Sequence, residues 1–212
     1  MPEHRTYYPA FVSIEGKKCV VAGGGRVAER KVRDLLKAGA SVRVISPELT
    51  PGLLRLRESG RIRHTARKFR PADTRGAFLI IAATDDMEIN RSAASMGKGM
   101  LVNVVDRPAQ CSFIVPSTLR RGPLTIAVST SGASPAMARA IRQELEDMFG
   151  PEVGSYLEGL CRTRKRLMKE IKDPAERERR LRELGSPEVL KELLKGSQCG
   201  AGRKAGPKGK GK

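Results

Sequence analysis

The segment Cys19–Lys31, CVVAGGGRVAERK, decides how the rest of the chain is read. An apolar, β-branched run ends in three glycines, and an amphipathic run follows them directly. Gly23, Gly25 and Ala28 satisfy G-x-G-x-x-A at a strand-to-helix junction, the setting in which that spacing binds a dinucleotide. Gly23 permits the tight turn, Gly25 lets backbone approach a pyrophosphate, and Ala28 is small enough for the helix to pack on the sheet. The start of the helix then offers unpaired N–H groups to phosphate oxygens. A glycine-rich turn without a ligand is the alternative reading of the same residues.

Working outward, short β-branched runs alternate with longer amphipathic ones as far as Val104, the pattern of βαβ units and a parallel sheet. The predicted strands are 18–22, 41–45, 61–66, 78–82 and 101–104, and the predicted helices are 27–38, 47–59 and 87–96. Gly39, Gly60 and Gly97 stand where C-terminal caps belong. After Pro116, LRRGPLTIAVST reads as two short strands around Gly122-Pro123, and Ser134 with Pro135 opens a helix that runs to about Phe149. Gly150-Pro151 breaks it, and residues 152–195 read as charged and all-helical. The last seventeen residues, mostly Gly, Lys, Ala and Pro, have no periodicity and are expected to be disordered.

Open α/β sheets bind ligands at the carboxyl ends of their strands. The VRVISPE run brings Ser46, Pro47 and Glu48 to that edge. Glu48 has two readings, an acid for the ribose hydroxyls or a first-turn residue of the next helix. On the first reading it favours NAD over NADP, because it repels a 2'-phosphate. Arg43 lies on one face of the sheet or the other. FLIIAATDD delivers Thr84, Asp85 and Asp86, one carboxylate of the pair serving to cap the following helix. LVNVVDRPAQCSFIVPS delivers Asn103 and Asp106, then Ser112 and Phe113. Asp106 is a candidate general base beside a cofactor, or else a loop cap or a surface acid paired with Arg107.

The chain has 212 residues, with 41 Lys plus Arg against 23 Asp plus Glu, for a net charge of +18. The excess spans the whole length, so the tail alone does not make the protein basic. The apolar runs exclude wholesale disorder, no stretch reaches the roughly 20 apolar residues of a membrane span, and the amino terminus lacks a signal-peptide core. A soluble, cytoplasmic protein is expected. Four scattered cysteines without a CxxC pair and two histidines argue against a zinc site or a disulfide framework. Cys19 reads as a buried hydrophobe, Cys111 as the thiol near the cleft, His64 as structural and His4 as part of a mobile terminus.

GGGRVAERK, AATDD followed by Asn90, NVVD with Ser112-Phe113 and Pro116, and STSGASP at 129–135 occur in this order. Over roughly residues 7–195 the chain resembles precorrin-2 dehydrogenase, the siroheme-synthase amino-terminal family. The resemblance implies NAD-dependent oxidation of precorrin-2 to sirohydrochlorin by a homodimer, with ferrous iron insertion in some members. It implies a Rossmann-like NAD-binding domain, read at 1–115, an α+β dimerisation region at 116–150 and a helical domain at 151–195, while the basic tail at 196–212 lies outside the family pattern. By motif position, Gly23 to Val27 and Ser46 to Glu48 line the NAD site, and Thr84 and Asp85 lie near the nicotinamide. Asn103, Ser112, Phe113 and Ser134 approach the tetrapyrrole. Asp106 matches the key carboxylate, and in a chelatase it takes pyrrole N–H protons or guides the metal. The methyltransferase domain fused to this unit in some members has no counterpart here, so precorrin-2 is expected from a separate enzyme.

A basic protein suits a polycarboxylate substrate. The rival reading is a non-catalytic NAD sensor or nucleic-acid-binding protein using its basic carboxyl-terminal region. Against it stand the lack of a helix-turn-helix signature and of aromatic interleaving, Tyr156 being the one aromatic residue after Phe149. The lysine-rich tail reads first as a solubilising end and second as a weak polyanion binder.

Overall fold

The computed structural model describes residues 6–84, 86–96 and 99–201. They form two compact units that divide between Val115 and Pro116. In the first, the elements run β1 (Lys18–Ala22), α1 (Arg26–Lys37), β2 (Ser41–Ile45), α2 (Pro51–Glu58), β3 (Ile62–Thr65), β4 (Leu79–Ala82), α3 (Met87–Met96) and β5 (Leu101–Val104). Short 3-10 turns at Pro71–Thr74 and Pro108–Gln110 precede β4 and follow β5. The five strands are parallel in the order β3-β2-β1-β4-β5. Strand order reverses at β1, which creates the crevice where such sheets bind ligands.

Alternation along the strands sorts the core into two layers. Cys19 and Val21 pack with Ala28, Val32 and Leu35 of α1 and Leu53 and Leu56 of α2. Val20 and Ala22 pack on the other face with Ile80, Ala82, Val102, Val104 and Ala93 of α3. Ala22 is in register with Ile45 and Ala82, and Ala82 with Val104. The loops beginning at Gly23, Ser46, Ala83 and Val105 therefore leave one edge together.

Besides one-residue shifts in α1, β4 and the end of α2, three boundaries differ from expectation more substantially. Helix α2 starts at Pro51, not Pro47, because the Thr50 hydroxyl accepts the Leu53 N–H at 3.2 Å and Pro51 takes the first helical position. Glu48 is thus a loop residue, and its first-turn reading is set aside. The third strand shortens to Ile62–Thr65. Helix α7 (Pro187–Ala201) continues six residues past the expected end at 195, each added residue extending a helix already nucleated. Residues 202–212, Gly97 and His4 lie outside the described residues.

The second unit opens with an antiparallel hairpin, β6 (Ser117–Arg121) and β7 (Leu124–Val128), followed by α4 (Pro135–Met148), α5 (Pro151–Glu170), α6 (Pro174–Leu184) and α7. Every one of these helices begins with proline, and Ser134 and Asp173 cap their helices through side-chain oxygens. Arg121 binds the end of α4 through Nε to the Phe149 carbonyl at 2.9 Å and Nη2 to that of Glu146 at 3.3 Å. A Cβ on Gly154 would stand 2.9 Å from the Arg121 carbonyl carbon, so α5 packs closely on the hairpin. Gly150-Pro151 accordingly separates two helices of one unit. Among the described residues no helix is long and apolar enough to cross a membrane.

An ion pair that the sequence did not announce holds the first unit beneath β2 and β3. Asp73, buried, accepts from Arg67 at 2.7 and 2.8 Å and from the Arg70 N–H at 2.8 Å. The Arg67 hydrogen bonds outweigh burial and hold the Asp73 carboxyl below its usual range. A depressed folded-state pKa adds stability that is complete above the unfolded value near 3.9 and lost as pH falls through the folded value. Asp73→Asn is expected to cost about 2 kcal/mol at pH 7, and the gap from wild type to narrow below about pH 4, as measured by urea unfolding.

Burial pushes the Cys19 thiol up to about 11. Cys111 is also buried and Cys161 exposed. In a Cys199→Ser background, Ellman's reagent is expected to label Cys161 within minutes and the other two only on unfolding.

Candidate functional site

The three glycines of the β1–α1 loop do different work. Gly23 has φ 116°, donates its N–H to the Ile45 carbonyl at 2.9 Å, and with a Cβ would stand 2.1 Å from the Ala83 carbonyl oxygen. A Cβ on Gly24 would lie 1.9 Å from the Glu48 carbonyl oxygen and 2.7 Å from Ser46 Oγ. The Gly24 carbonyl in turn accepts the Thr50 N–H at 3.0 Å. These two glycines pack the loop against its neighbours. Gly25 has nothing within 4 Å of its Cβ position.

Gly25 is also the N-cap of α1, and no side chain caps that helix. The open space and uncapped N–H groups fit a pyrophosphate, the group that a dinucleotide presents there. Arg26 and Val27 are exposed on the first turn, and Ala28 is fully buried. Glu29 joins α1 to α2: its carboxylate accepts the Thr50 hydroxyl at 2.5 Å and Arg33 at 2.7 and 3.0 Å. The Thr50 bond, then Arg33, holds that carboxyl below its usual range. The dinucleotide fingerprint does not include this clasp, and it came to light only with the fold.

Ser46 is buried, its carbonyl 2.9 Å from His64 Nε2, while Pro47 and Glu48 are exposed in the loop ahead of α2. Arg43 is committed elsewhere, to Thr65 Oγ1 at 3.0 and 3.2 Å and toward Asp73 at 3.9 Å. At the end of β4, Thr84 Oγ1 accepts the Asp86 N–H at 2.9 Å, and Asp86 Oδ1 accepts the N–H groups of Glu88 and Ile89 at 3.1 and 3.3 Å. Asp86 is therefore the capping carboxylate. Asp85 lies outside the described residues. Asn90 donates to the Thr84 carbonyl at 2.9 Å, and its buried Oδ1 has no partner among the described residues.

The strand β5 lies at the sheet's edge, and the returning loop closes it. Val102 donates to Ser112 Oγ at 2.8 Å and accepts from the Ser112 N–H at 2.8 Å. Val104 donates to Cys111 Sγ at 3.2 Å. Asn103 is buried, with Nδ2 on the Phe113 carbonyl at 3.1 Å, and Phe113 is half-buried against the α1-side core. Asn103 and Ser112 thus have structural work whatever else they touch.

Asp106 is exposed, has φ 60°, and makes no ion pair among the described residues. Arg107 instead places Nη2 2.5 Å from Met87 Sδ, which sets aside the Asp106–Arg107 pair. The left-handed backbone is costly for most residues, and aspartate is among the side chains that tolerate it. Among the described residues no three His, Cys, Asp or Glu cluster as a metal site. Ser134 belongs to the second unit, where its Oγ accepts the Met137 N–H at 3.1 Å.

Two family models match the chain, one described as putative NAD(P)-binding over residues 10–117 and one as sirohaem biosynthesis protein central over 121–148. A siroheme synthase of Methylobacillus flagellatus is 48% identical over 148 residues, covering 69% of this chain and 32% of that protein. Another, from Actinobacillus succinogenes, is 39% identical over 202 residues, covering 93% and 42%. The chain spans about a third to two fifths of the length of these curated relatives. Its fold is like that of SirC, a precorrin-2 dehydrogenase, with a TM-score of 0.76 over 91% of this chain and 100% of that one at 23% identity. With half its length matched by the first model and the second model following directly, the chain belongs to the putative NAD(P)-binding family, joined here to a sirohaem-biosynthesis central segment.

Proposed function

We propose that this chain oxidises precorrin-2 to sirohydrochlorin with NAD. The observation that carries the reading is one sheet edge holding both an open phosphate cradle at Gly25 and an exposed, left-handed Asp106, in a chain that continues into the sirohaem-biosynthesis segment. Gly23 to Val27 hold the pyrophosphate, and Ser46 to Glu48 meet the adenosine ribose. Thr84 lies beside the nicotinamide, which would supply the hydride acceptor. Asp106 takes the proton released as the macrocycle loses two hydrogens, giving NADH and one proton per turnover. Asn103, Ser112 and Phe113 approach the tetrapyrrole.

The net charge of +18 favours capture of a polycarboxylate substrate. Ferrous iron, as a second substrate, is taken up by the product with Asp106 receiving the pyrrole protons. The acting form is a homodimer, supported by the exposed Met137, Ile141 and Met148 of α4. The reaction belongs to the cytoplasm, in keeping with described helices that do not suit a membrane span.

The test is anaerobic incubation with freshly generated precorrin-2, with and without NAD, following sirohydrochlorin and NADH by absorbance before ferrous iron is added. Coupled, NAD-dependent formation of both supports the dehydrogenase, and siroheme forming faster than without enzyme supports the chelatase. A folded, NAD-binding protein that forms neither product from active substrate overturns the reading. A salt-dependent gel shift lost on deleting 196–212 then favours the nucleic-acid alternative.

A further inference from the structure

The turn that presents Asp106 is held by a buried thiol. Asp106 follows β5 with φ 60° and no side-chain ion pair among the described residues. Cys111, 4% exposed, reaches the chain on both sides of it. Ahead of Asp106, the Val104 N–H donates to Sγ at 3.2 Å and the Val104 carbonyl lies 3.2 Å from the same sulfur. Behind it, the Arg107 carbonyl lies 3.3 Å from Sγ. The Arg107 N–H returns to the Val104 carbonyl at 3.2 Å, and the Gln110 N–H reaches the Arg107 carbonyl at 3.0 Å.

The thiol carries one proton, so it donates to one of the two carbonyls at a time while accepting from Val104. Around it lie Val102, Val104 and Ala93 of the α3-side core, an environment where a thiol is easily buried. A hydroxyl could make the same bonds from a shorter arm, and a methyl group could make none.

We propose that Cys111 is the positioning residue of Asp106: its thiol fixes the left-handed turn at the angle that aims the carboxylate at the substrate. The inference rests on the proposed role of Asp106 in precorrin-2 oxidation. A carboxylate displaced by about 1 Å can lose a factor of up to about a hundred in rate, so the position of this turn governs kcat while the Gly25 cradle governs cofactor affinity.

The test uses the full chain as wild type, Cys111→Ala, Cys111→Ser, Asp106→Asn and Cys19→Ala, the last removing a buried thiol far from this turn. Amide exchange at Arg107 and Gln110 is read by NMR, and kcat and the KM for NAD by precorrin-2 turnover. In Cys111→Ala, exchange at these amides is expected to quicken roughly tenfold and kcat to fall roughly tenfold, with KM for NAD within about twofold. Cys111→Ser recovers most of kcat, and Cys19→Ala keeps it.

Unchanged exchange or unchanged kcat in Cys111→Ala, with Asp106→Asn impaired, overturns the inference and leaves the role of Asp106 standing. An equal fall of kcat in Cys19→Ala overturns it as a general effect of core loss. Full turnover by Asp106→Asn overturns both. If Cys111→Ala does not fold, Cys111→Val against Cys111→Ser decides: kcat lost in the first and kept in the second supports the role, and equal kcat overturns it.

Discussion

Asp106→Asn is expected to lower NAD-dependent oxidation of precorrin-2 by about 100-fold, and iron insertion at least as much where it occurs, while the fold and NAD affinity stay as in wild type. The side chain is exposed and unpaired among the described residues, so little stability depends on it. Asparagine tolerates the left-handed backbone as well as aspartate does, and loses only the ability to take a proton. Alanine at φ 60° adds backbone strain of about 1 kcal/mol or more, so Asp106→Ala mixes two effects. Asp106→Gly relaxes the turn and removes the carboxylate together; it should be at least as stable as wild type and as inactive as the asparagine variant. Steady-state turnover, thermal unfolding and NAD titration on the three variants check this, and a fully active Asp106→Asn would falsify the assignment of the base.

The second large effect separates the glycines. Gly24→Ala is expected to lose about 3 kcal/mol or more, because its Cβ would lie 1.9 Å from the Glu48 carbonyl oxygen, a backbone atom that cannot swing aside. Moving that loop breaks the bond from Thr50 to the Gly24 carbonyl and displaces Ser46 and Glu48 with it. Gly25→Ala meets no atom within 4 Å and has an ordinary φ of −80°, so its melting temperature should stay within about 2 °C of wild type. Its methyl group fills the cradle instead, and NAD affinity should fall roughly tenfold, about 1.4 kcal/mol. Calorimetric titration with NAD beside thermal melts reads both. Unchanged NAD binding by Gly25→Ala would remove this loop as the phosphate site, and a wild-type melt for Gly24→Ala would contradict the packing against Glu48.

Much of the first unit was legible because its signals are local. KCVVA stops at Gly23 and SVRVI at Ser46, and with LVNV, which ends two residues before Asp106, these runs are the observed strands. The start of α2 was not legible, since Pro47 and Pro51 are equally good first residues. The bond from the Thr50 N–H to the Gly24 carbonyl, a matter of tertiary packing, ties residue 50 to the β1–α1 loop and leaves Thr50 as the cap. Position alone brought Asp106 to the sheet's edge, but its left-handed turn depends on Cys111, whose sequence context resembles that of any lone cysteine. The Asp73–Arg67 pair was hidden for a similar reason, charged residues six apart in a loop having no periodicity to betray them.

The loop that closes β5 bears on how the chain escapes misassembly. An exposed strand edge recruits other chains, and the species most at risk is one whose sheet has formed while its edge is still bare. Here the capping groups, Cys111 and Ser112, follow Val104 by only seven and eight residues. Loops of that length close within about 100 ns, so the bare edge should be a fleeting species, shielded by its own chain long before a second molecule can diffuse to it.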